Sequence, residues 1–245
     1  MLFFRKKKPI LKDFIPDNHI DFHSHLLFGI DDGAKTFEET LNLINAMKGF
    51  GIKQIITTPH VMNHVWENTS EMIVNREQEV NSLLKQQNID FTIKAAAEYL
   101  LDDSFVKLFQ NEPLLTLKDN YVLVEMSYIN APLQLYDIIF QLQIAGYKPV
   151  LAHPERYNFY HQNFEEYKRL KNAGCLFQIN LLSTVGYYGE FVARTAEQLL
   201  KKGLIDFASS DIHHEKHVAA FDGKVLYKDP KPLQDAINNS AFFLK

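Results

Sequence analysis

Short apolar segments alternate with longer amphipathic segments along most of this chain. Seven of the short segments are rich in Val, Ile, Leu and Phe and predict buried strands, at about residues 19–23, 53–57, 91–97, 121–124, 149–152, 175–179 and 205–209. The segments between them space their apolar residues as a helix does and predict helices, at about residues 36–50, 68–87, 102–110, 133–146, 163–172, 189–202 and 231–240. Strands that alternate with helices indicate an α/β fold with a parallel sheet.

Two of the helix starts carry capping signals. Thr36 is followed three positions later by Glu39, which is the spacing of a capping box, so the first helix is expected to begin after Thr36. Asn68 and Glu71 mark the start of the second helix.

Nearly every predicted strand ends in a side chain that can bind a metal. In chain order these are His23, His25, Asp32, His60, Glu98, Glu125, His153, Asp211 and His213. His23 and His25 are two positions apart on an extended segment, so their side chains point to the same side, with Cα atoms about 6–7 Å apart. A closed barrel brings the carboxyl ends of all its strands to one mouth. A doubly wound sheet would concentrate such residues at one crevice, so we predict a parallel barrel.

The composition of this set indicates the metals. Five imidazoles and four carboxylates without a thiolate suit Mn²⁺, Fe²⁺ or Zn²⁺ and do not suggest a cysteine-rich structural zinc site. Nine ligand-type residues exceed what one ion can use, so the sequence predicts two or three divalent ions that share bridging carboxylates.

Length and composition fit one soluble domain. The chain has 245 residues, of which 46% are hydrophobic and 23% charged. No apolar run approaches the roughly 18 residues that cross a bilayer, and the first residues lack the order of a signal peptide. A single cysteine, Cys175, excludes an intramolecular disulfide and fits a reducing cytoplasm. Position 181 is Leu, whereas a cysteine-nucleophile phosphatase loop has Arg six positions after Cys, so we expect Cys175 to be a core residue.

Charge is distributed unevenly along the chain. The net charge is −4, but residues 1–12 contain five basic residues and no acidic residue, which leaves 21 basic and 30 acidic residues elsewhere. An acidic body argues against a nucleic-acid surface. We therefore predict a basic arm at residues 1–17, followed by one barrel domain at 18–245. A solvated arm is favoured over an arm that touches the inner face of the membrane or an acidic partner.

Taken together, the ordered motifs resemble the polymerase-and-histidinol-phosphatase (PHP) superfamily, and within it the metal-dependent protein-tyrosine phosphatases of bacterial capsule and exopolysaccharide operons. The segments that carry the resemblance are His23-Ser24-His25, Asp31-Asp32-Gly33, Thr58-Pro59-His60, Ala97-Glu98, Val124-Glu125, Ala152-His153-Pro154-Glu155-Arg156 and Ser209-Ser210-Asp211-Ile212-His213. The residues before 18 and after His214 depart from the family pattern.

The resemblance implies a distorted seven-stranded barrel with a trinuclear site that usually holds manganese. It implies that the nine residues above are the ligands and that Arg156 binds phosphate. The implied substrate is phosphotyrosine on the tail of a cognate tyrosine kinase that controls polysaccharide export. In the inferred reaction, a metal-bridging hydroxide attacks phosphorus, while His60 or an acid in the Asp32 loop donates a proton to the leaving oxygen.

Other functions and other residues stay open on the sequence alone. The alternatives are a small-molecule phosphatase such as a histidinol-phosphate phosphatase, a metal-dependent amidohydrolase and a kinase-binding module with a decayed site. Asp31 is expected to be a turn former, and Tyr187 and Tyr188 either pack against a helix or stack on an aryl group. The remaining histidines are expected mostly at the surface, with His64 a candidate for substrate contact; these are His19, His64, His161, His214 and His217.

Overall fold

Short parallel strands alternate with helices throughout the computed structural model, which describes residues 8–244. Within this range the strands are β1 (His19–Asp21), β2 (Ile52–Thr57), β3 (His60–Val61), β4 (Lys94–Ala95), β5 (Glu98–Leu100), β6 (Tyr121–Glu125), β7 (Lys148–Ala152), β8 (Leu176–Asn180) and β9 (Phe207–Ser209). The helices are α1 (Phe37–Gly49), α2 (Ser70–Gln86), α3 (Asp103–Asn111), α4 (Leu135–Ile144), α5 (Phe164–Asn172), α6 (Glu190–Lys201), α7 (Glu215–Ala220) and α8 (Lys231–Asn239).

The strands form two parallel sheets. One has the order β1-β2-β4, and the other has the order β3-β5-β6-β7-β8-β9. The predicted α/β fold with parallel strands is therefore confirmed. The seven predicted strands correspond to β1, β2, β4, β6, β7, β8 and β9, but the described residues do not form one continuous seven-stranded sheet.

The chain changes sheets at Thr58-Pro59. Pro59 has no N–H to donate to a strand neighbour, and the N–H of Thr58 donates to the carbonyl of Ser24 at 2.7 Å. Beyond this point β3 pairs with β5, which places His60 beside Glu98 in register. The break between the two sheets therefore makes neighbours of two predicted ligands.

Strands β1 and β9 are joined mainly by side chains and by the residues that follow them. The Asp21 carboxylate accepts hydrogen bonds from the Ser209 hydroxyl and the Ser210 N–H, both at 2.8 Å. The N–H of Asp211 donates to the carbonyl of His23 at 2.7 Å. Strands β1 and β9 belong to different sheets, and polar side chains thus replace part of the backbone hydrogen bonding between them.

Both sheets turn one face towards a shared apolar interior. The ring of Phe22 lies 4.3 Å from the ring of Phe243 and 5.9 Å from that of Phe207, measured between centroids. The cluster around them takes buried side chains from β1, β2, β6, β7 and β9, among them Ile20, Ile56, Leu123, Val150 and Ala152. A second, larger cluster lies between strands and helices, so the sheets are covered on both faces, as parallel sheets require.

Thr36 caps α1 as predicted, since its side chain accepts from the N–H of Glu39 at 3.3 Å. The start of α2 was predicted one residue early: Thr69 is the cap. Asn68 donates instead to the carbonyls of Ile30 and His60, at 2.9 and 2.8 Å. It therefore connects the loop that carries Asp32 with the strand that carries His60.

Only part of the predicted basic arm belongs to the described residues, and residues 1–7 lie outside them. From residue 8 onward the segment packs against the body, since Leu11 and Phe14 are buried and Lys12 pairs with Asp222 at 2.6 Å. The domain boundary at residue 17 stays a prediction. Among residues 8–244, no helix combines the length and the apolarity needed to cross a bilayer.

Candidate metal centre

The carboxyl ends of the strands surround a cavity of about 500 Å³. Its lining includes seven of the ten residues predicted for the site, namely Asp32, His60, Glu125, His153, Arg156, Asp211 and His213. The other three are His23, His25 and Glu98, which are fully buried. All ten belong to one cluster, because these three contact the lining residues directly.

Glu98 lies at the centre of the cluster. Its carboxylate oxygens lie near ring nitrogens of four histidines, at 3.3 Å from His23, 3.5 Å from His25, 3.2 Å from His60 and 3.2 Å from His153. A carboxylate that faces several imidazoles can bridge cations that those imidazoles also bind.

Asp211 has one oxygen on each side of the site. Its Oδ1 lies 3.2 Å from His23 Nε2 and 3.5 Å from His25 Nε2. Its Oδ2 accepts hydrogen bonds from Arg156 and from the Asn180 amide, both at 2.8 Å. One oxygen is thus available to a cation, while the other is held by neighbouring donors.

Asp32 lies on the outer side of the cluster, whereas Glu125 is buried in the cavity wall. Asp32 Oδ1 is 3.4 Å from Nε2 of His60 and 3.4 Å from Nε2 of His213, and its side chain is 53% exposed. Glu125 Oε1 is 2.9 Å from Nδ1 of His60. The ligand set therefore extends from the fully buried Glu98 to the mouth of the cavity.

Several buried polar atoms of this cluster have no hydrogen-bond partner within residues 8–244, although they lie close to one another. They are His23 Nε2, His25 Nε2, His60 Nδ1, Glu125 Oε1 and both Glu98 oxygens. Burying such groups unpaired is costly. Ligand atoms within 4.8 Å of one another form four overlapping groups, such as His60-Glu98-Glu125 and His23-His25-Asp211. The donor set therefore fits divalent cations that prefer nitrogen and oxygen ligands.

Two neighbouring side chains orient the first histidine pair. His23 Nδ1 is 2.8 Å from Gln178 Oε1, and His25 Nδ1 is 2.7 Å from Asp31 Oδ2. Metal-binding histidines usually donate their other ring N–H in this way. Asp31 also accepts from the N–H of Gly33, so it forms the predicted turn and orients a histidine as well.

The electric field of the cluster favours positive charge. Burial alone would lower the pKa of His23, but the carboxylates of Glu98 and Asp211 outweigh burial and raise the pKa to about 10. Burial would raise the pKa of Asp32, but hydrogen bonds from His213 and His60 hold that pKa well below its usual range. The same carboxylates would stabilise bound dications.

Arg156 lies in the cavity wall beside two aromatic rings. Its guanidinium carbon is 4.7 Å from the ring centroid of Tyr128 and 4.2 Å from that of Tyr188. Together with the ion pair to Asp211, these contacts hold the guanidinium plane in place. A fixed guanidinium with further N–H groups beside the metal ligands can bind a phosphate.

Other sequence-based expectations have mixed outcomes. Cys175 is buried, and burial raises the pKa of its thiol to about 12, as expected of a core residue. The side chain of His64 is 84% exposed and does not line the cavity, so its contact with substrate stays a prediction. His19 and His217 are buried, so the expectation of surface positions fails for these two, whereas His214 is exposed as expected. His214 and His217 both line the cavity.

Sequence reasoning missed several residues of the site. Asn180 ends a predicted strand, and this position was the available signal for it. Gln178 lies inside the same strand, where nothing marked it. Tyr128, Val65 and Trp66 line the cavity from loops, and no periodic pattern identifies a loop residue that faces a site.

Comparisons with known proteins agree with this geometry. Residues 19–220 match the family described as capsular polysaccharide synthesis, CpsB/CapC. The chain is 32% identical over 202 residues to the tyrosine-protein phosphatase CpsB of Streptococcus pneumoniae, a match that covers 80% of this chain and 83% of that protein. It is 30% identical over 198 residues to the tyrosine-protein phosphatase YwqE of Bacillus subtilis, with 80% and 78% covered.

The fold gives the same result. The structure matches one of the crystal structures of YwqE from Bacillus subtilis and CpsB from Streptococcus pneumoniae, described as unique metal-dependent tyrosine phosphatases, with a TM-score of 0.76, 26% identity and coverage of 92% and 85%. A histidinol phosphate phosphatase from Lactococcus lactis, complexed with zinc, L-histidinol and phosphate, has a TM-score of 0.52 at 13% identity, with coverage of 94% and 95%, which shows a similar fold only. The family match includes all nine predicted ligands and most of the chain, and this protein therefore belongs to the CpsB/CapC family of capsular polysaccharide synthesis.

Proposed function

We propose that this chain is a metal-dependent phosphomonoester hydrolase that removes phosphate from tyrosine residues of proteins. The observation that carries the proposal is the convergence of unpaired, buried imidazole and carboxylate atoms on a cavity that Arg156 also lines. The relatives named above, which are tyrosine-protein phosphatases, support the same substrate class.

The proposed cofactor is a group of two or three divalent ions, with Mn²⁺ expected and Fe²⁺ or Zn²⁺ as alternatives. The proposed ligands are His23, His25, Asp32, His60, Glu98, Glu125, His153, Asp211 and His213. Ions bound there would supply an activated water at neutral pH and neutralise phosphate charge. The four carboxylates of the set would in turn balance part of the charge of the ions.

In this proposal Arg156 binds the phosphate of the substrate. Its contact to Asp211 uses one N–H group, whereas a guanidinium has five in a rigid plane. The rings of Tyr128 and Tyr188 both lie against the guanidinium, and a phosphate would bind at its edge, where the N–H groups lie. Planar two-pronged donation to phosphate is the geometry in which arginine is strongest.

We assign the proton of the leaving oxygen to the pair His60 and Asp32. His60 has Nδ1 towards Glu98 and Glu125 and Nε2 towards Asp32. Asp32 keeps its charge because its pKa is lowered, so it acts as an acceptor that holds a proton on His60. Tyrosine, with a pKa of about 10, leaves readily enough that a weak donor suffices.

We further propose that the two sheets together form the distorted seven-stranded barrel of the PHP fold. The interior cluster shared by both sheets supports this, as do the hydrogen bonds between the ends of β1 and β9. The proposed partner is a bacterial tyrosine kinase that regulates capsular or exopolysaccharide synthesis, and the proposed location is the cytoplasm, with any membrane contact made through the basic residues before 13.

Metal analysis and phosphatase assays test the proposed function directly. Purified protein should contain two or three transition-metal ions, and a chelator should abolish hydrolysis of a phosphotyrosine peptide until Mn²⁺ is restored. Cys175→Ser should change neither value, because the thiol is buried away from the site. Faster turnover of histidinol phosphate than of the peptide would contradict the substrate class, and activity that survives chelation but not Cys175→Ser would contradict the metal mechanism.

A further inference from the structure

The cavity has a polar side and an apolar side. The proposed metal ligands and Arg156 form the polar side, whereas Met62, Val65 and Trp66 contribute the apolar side. The cavity volume of about 500 Å³ is within the roughly 300–1,000 Å³ of typical small-molecule sites. A substrate that places its phosphate on the polar side must therefore accommodate the rest of the reacting group near the apolar residues.

The two tyrosines of the lining are already engaged. Tyr128 and Tyr188 each present a ring to the guanidinium of Arg156. Tyr188 also accepts a hydrogen bond from Asn180 at 3.1 Å. The contacts of Trp66 and Val65 are looser, since Lys35 Nζ lies 5.8 Å from the ring centroid of Trp66 and Val65 is 58% exposed. The segment that contains these two residues is therefore the better surface for an additional aromatic ring.

This segment, Met62–Trp66, is a tight hairpin. Met62 and Trp66 exchange both backbone hydrogen bonds, at 2.9 Å from Met62 N and 2.8 Å from Trp66 N. His64 adopts a left-handed φ of 63° at the turn, and Asn63 is fixed to Ser104 by a side-chain hydrogen bond of 3.0 Å. The hairpin is therefore held in shape before any ligand binds, which reduces the entropic cost of binding.

Among residues 8–244, Val65 at the turn does not pack into an apolar cluster. It is 58% exposed and is not part of either apolar cluster. An exposed β-branched side chain on a rigid turn gains little in the free protein, but it gains contact area when a ring covers it.

We propose that the Met62–Trp66 hairpin is the wall against which the aromatic ring of the substrate packs, and that Val65 and Trp66 thereby select aryl over alkyl phosphomonoesters. The inference rests on the proposed phosphatase function and names the residues that give that site its preference. Hydrogen bonds to phosphate cannot supply this preference, because the phosphate group is the same in phosphotyrosine and phosphoserine.

The test compares Val65→Ser and Trp66→Leu with the matched control Ile144→Ser, which replaces an exposed β-branched residue on α4 that is 74% exposed. The first readout is the ratio of kcat/KM for free phosphotyrosine to kcat/KM for free phosphoserine. Intrinsic leaving-group reactivity cancels when this ratio is compared between variant and wild type. The second readout is competitive inhibition by phenylphosphonate and methylphosphonate, which have no ester bond to hydrolyse.

We expect Val65→Ser to lower the phosphotyrosine preference by about 10-fold, the lower end of the range for removing a hydrocarbon group from a pocket. Trp66→Leu should weaken phenylphosphonate binding and leave methylphosphonate binding unchanged, and Ile144→Ser should alter neither readout.

Unchanged ratios of kcat/KM for phosphotyrosine to phosphoserine in both hairpin variants would overturn the inference. So would an effect seen with phosphopeptides but not with free phosphotyrosine, since the hairpin would then contact flanking residues. A wild-type protein that hydrolysed neither these compounds nor a phosphotyrosine peptide would refute the proposed function, while the phosphonate measurement would still decide this inference.

Discussion

Replacing Arg156 with Lys separates the positive charge of this residue from its geometry. The guanidinium donates to Asp211 at 2.8 Å and lies close to the rings of Tyr128 and Tyr188. A lysine ammonium would keep the charge and could keep the contact to Asp211. It would lose the planar pair of N–H groups that the proposal assigns to phosphate.

The magnitude follows from the interactions that a lysine cannot make. A donor directed at charge that develops in the transition state contributes about 2.7–4 kcal/mol, which is about 10²–10³ in rate. The ammonium also stacks less well on the two tyrosine rings. This loss should lower the free energy of unfolding by about 0.5–1 kcal/mol per ring. We therefore expect kcat/KM to fall by about 10²–10³-fold, while metal content stays at the wild-type value.

Arg169 supplies a matched control. It also pairs with a carboxylate, Glu166 at 2.8 Å, and lies 4.9 Å from the ring centroid of Tyr136, but it is on α5 outside the cavity. Arg169→Lys should leave kcat/KM unchanged. The assay is steady-state hydrolysis of a phosphotyrosine peptide, with metal analysis of the same samples. Normal kinetics in Arg156→Lys would remove Arg156 from the phosphate site, and loss of metal would show that it acts mainly by holding Asp211.

Two further predictions concern metal affinity and acid stability. Gln178→Met removes the acceptor of His23 Nδ1 and should weaken Mn²⁺ binding by about 10–100-fold. Titration of chelator-stripped protein with Mn²⁺ measures this affinity, and Gln143→Met is the control. An unaltered affinity would show that Gln178 does not orient His23. Burial lowers the pKa of His19 from 6.5 to about 4, so between these values the unfolded chain binds more protons and stability falls as the pH drops. Relative to His19→Phe, the wild type should lose about 3 kcal/mol of unfolding free energy between pH 7 and pH 4. Urea unfolding at a series of pH values measures this difference. The same pH dependence of the unfolding free energy in both proteins would refute the prediction.

The residues of the cluster could be predicted because each of them is marked locally. His23 and His25 follow an apolar strand at a spacing that places them on one side, and Glu125 ends a run of apolar residues. Parallel strands have their carboxyl ends together, so residues far apart in the chain were expected to meet. The structure brings four of the histidines to within 3.2–3.5 Å of Glu98.

What the sequence could not show depends on contacts between distant segments. The change of sheet at Pro59 depends on the pairing of Thr58 with Ser24, which no local pattern reveals. Helix α7, at Glu215–Ala220, has six residues, too few for a periodic signal. The contact of Arg156 with Asp211 spans 55 positions, so only the structure could show that this arginine is paired with a proposed ligand.

The backbone explains how two of the proposed ligands reach the cluster. His153 and Asp211 adopt left-handed φ angles of 36° and 53°, a conformation that costs about 1–3 kcal/mol and persists where the surrounding structure holds it. Asp and His tolerate it better than branched residues do.

The backbone N–H groups of His153 and Asp211 are both held at 2.7 Å, that of His153 by the carbonyl of Gln178 and that of Asp211 by the carbonyl of His23. The side chain of Gln178 in turn contacts the ring of His23. A continuous chain of hydrogen bonds therefore runs from His153 through Gln178 and His23 to Asp211, and the three proposed ligands are fixed relative to one another by the strands themselves. This connection offsets the backbone strain, because neither left-handed residue can relax without breaking a bond to the segment that positions another ligand.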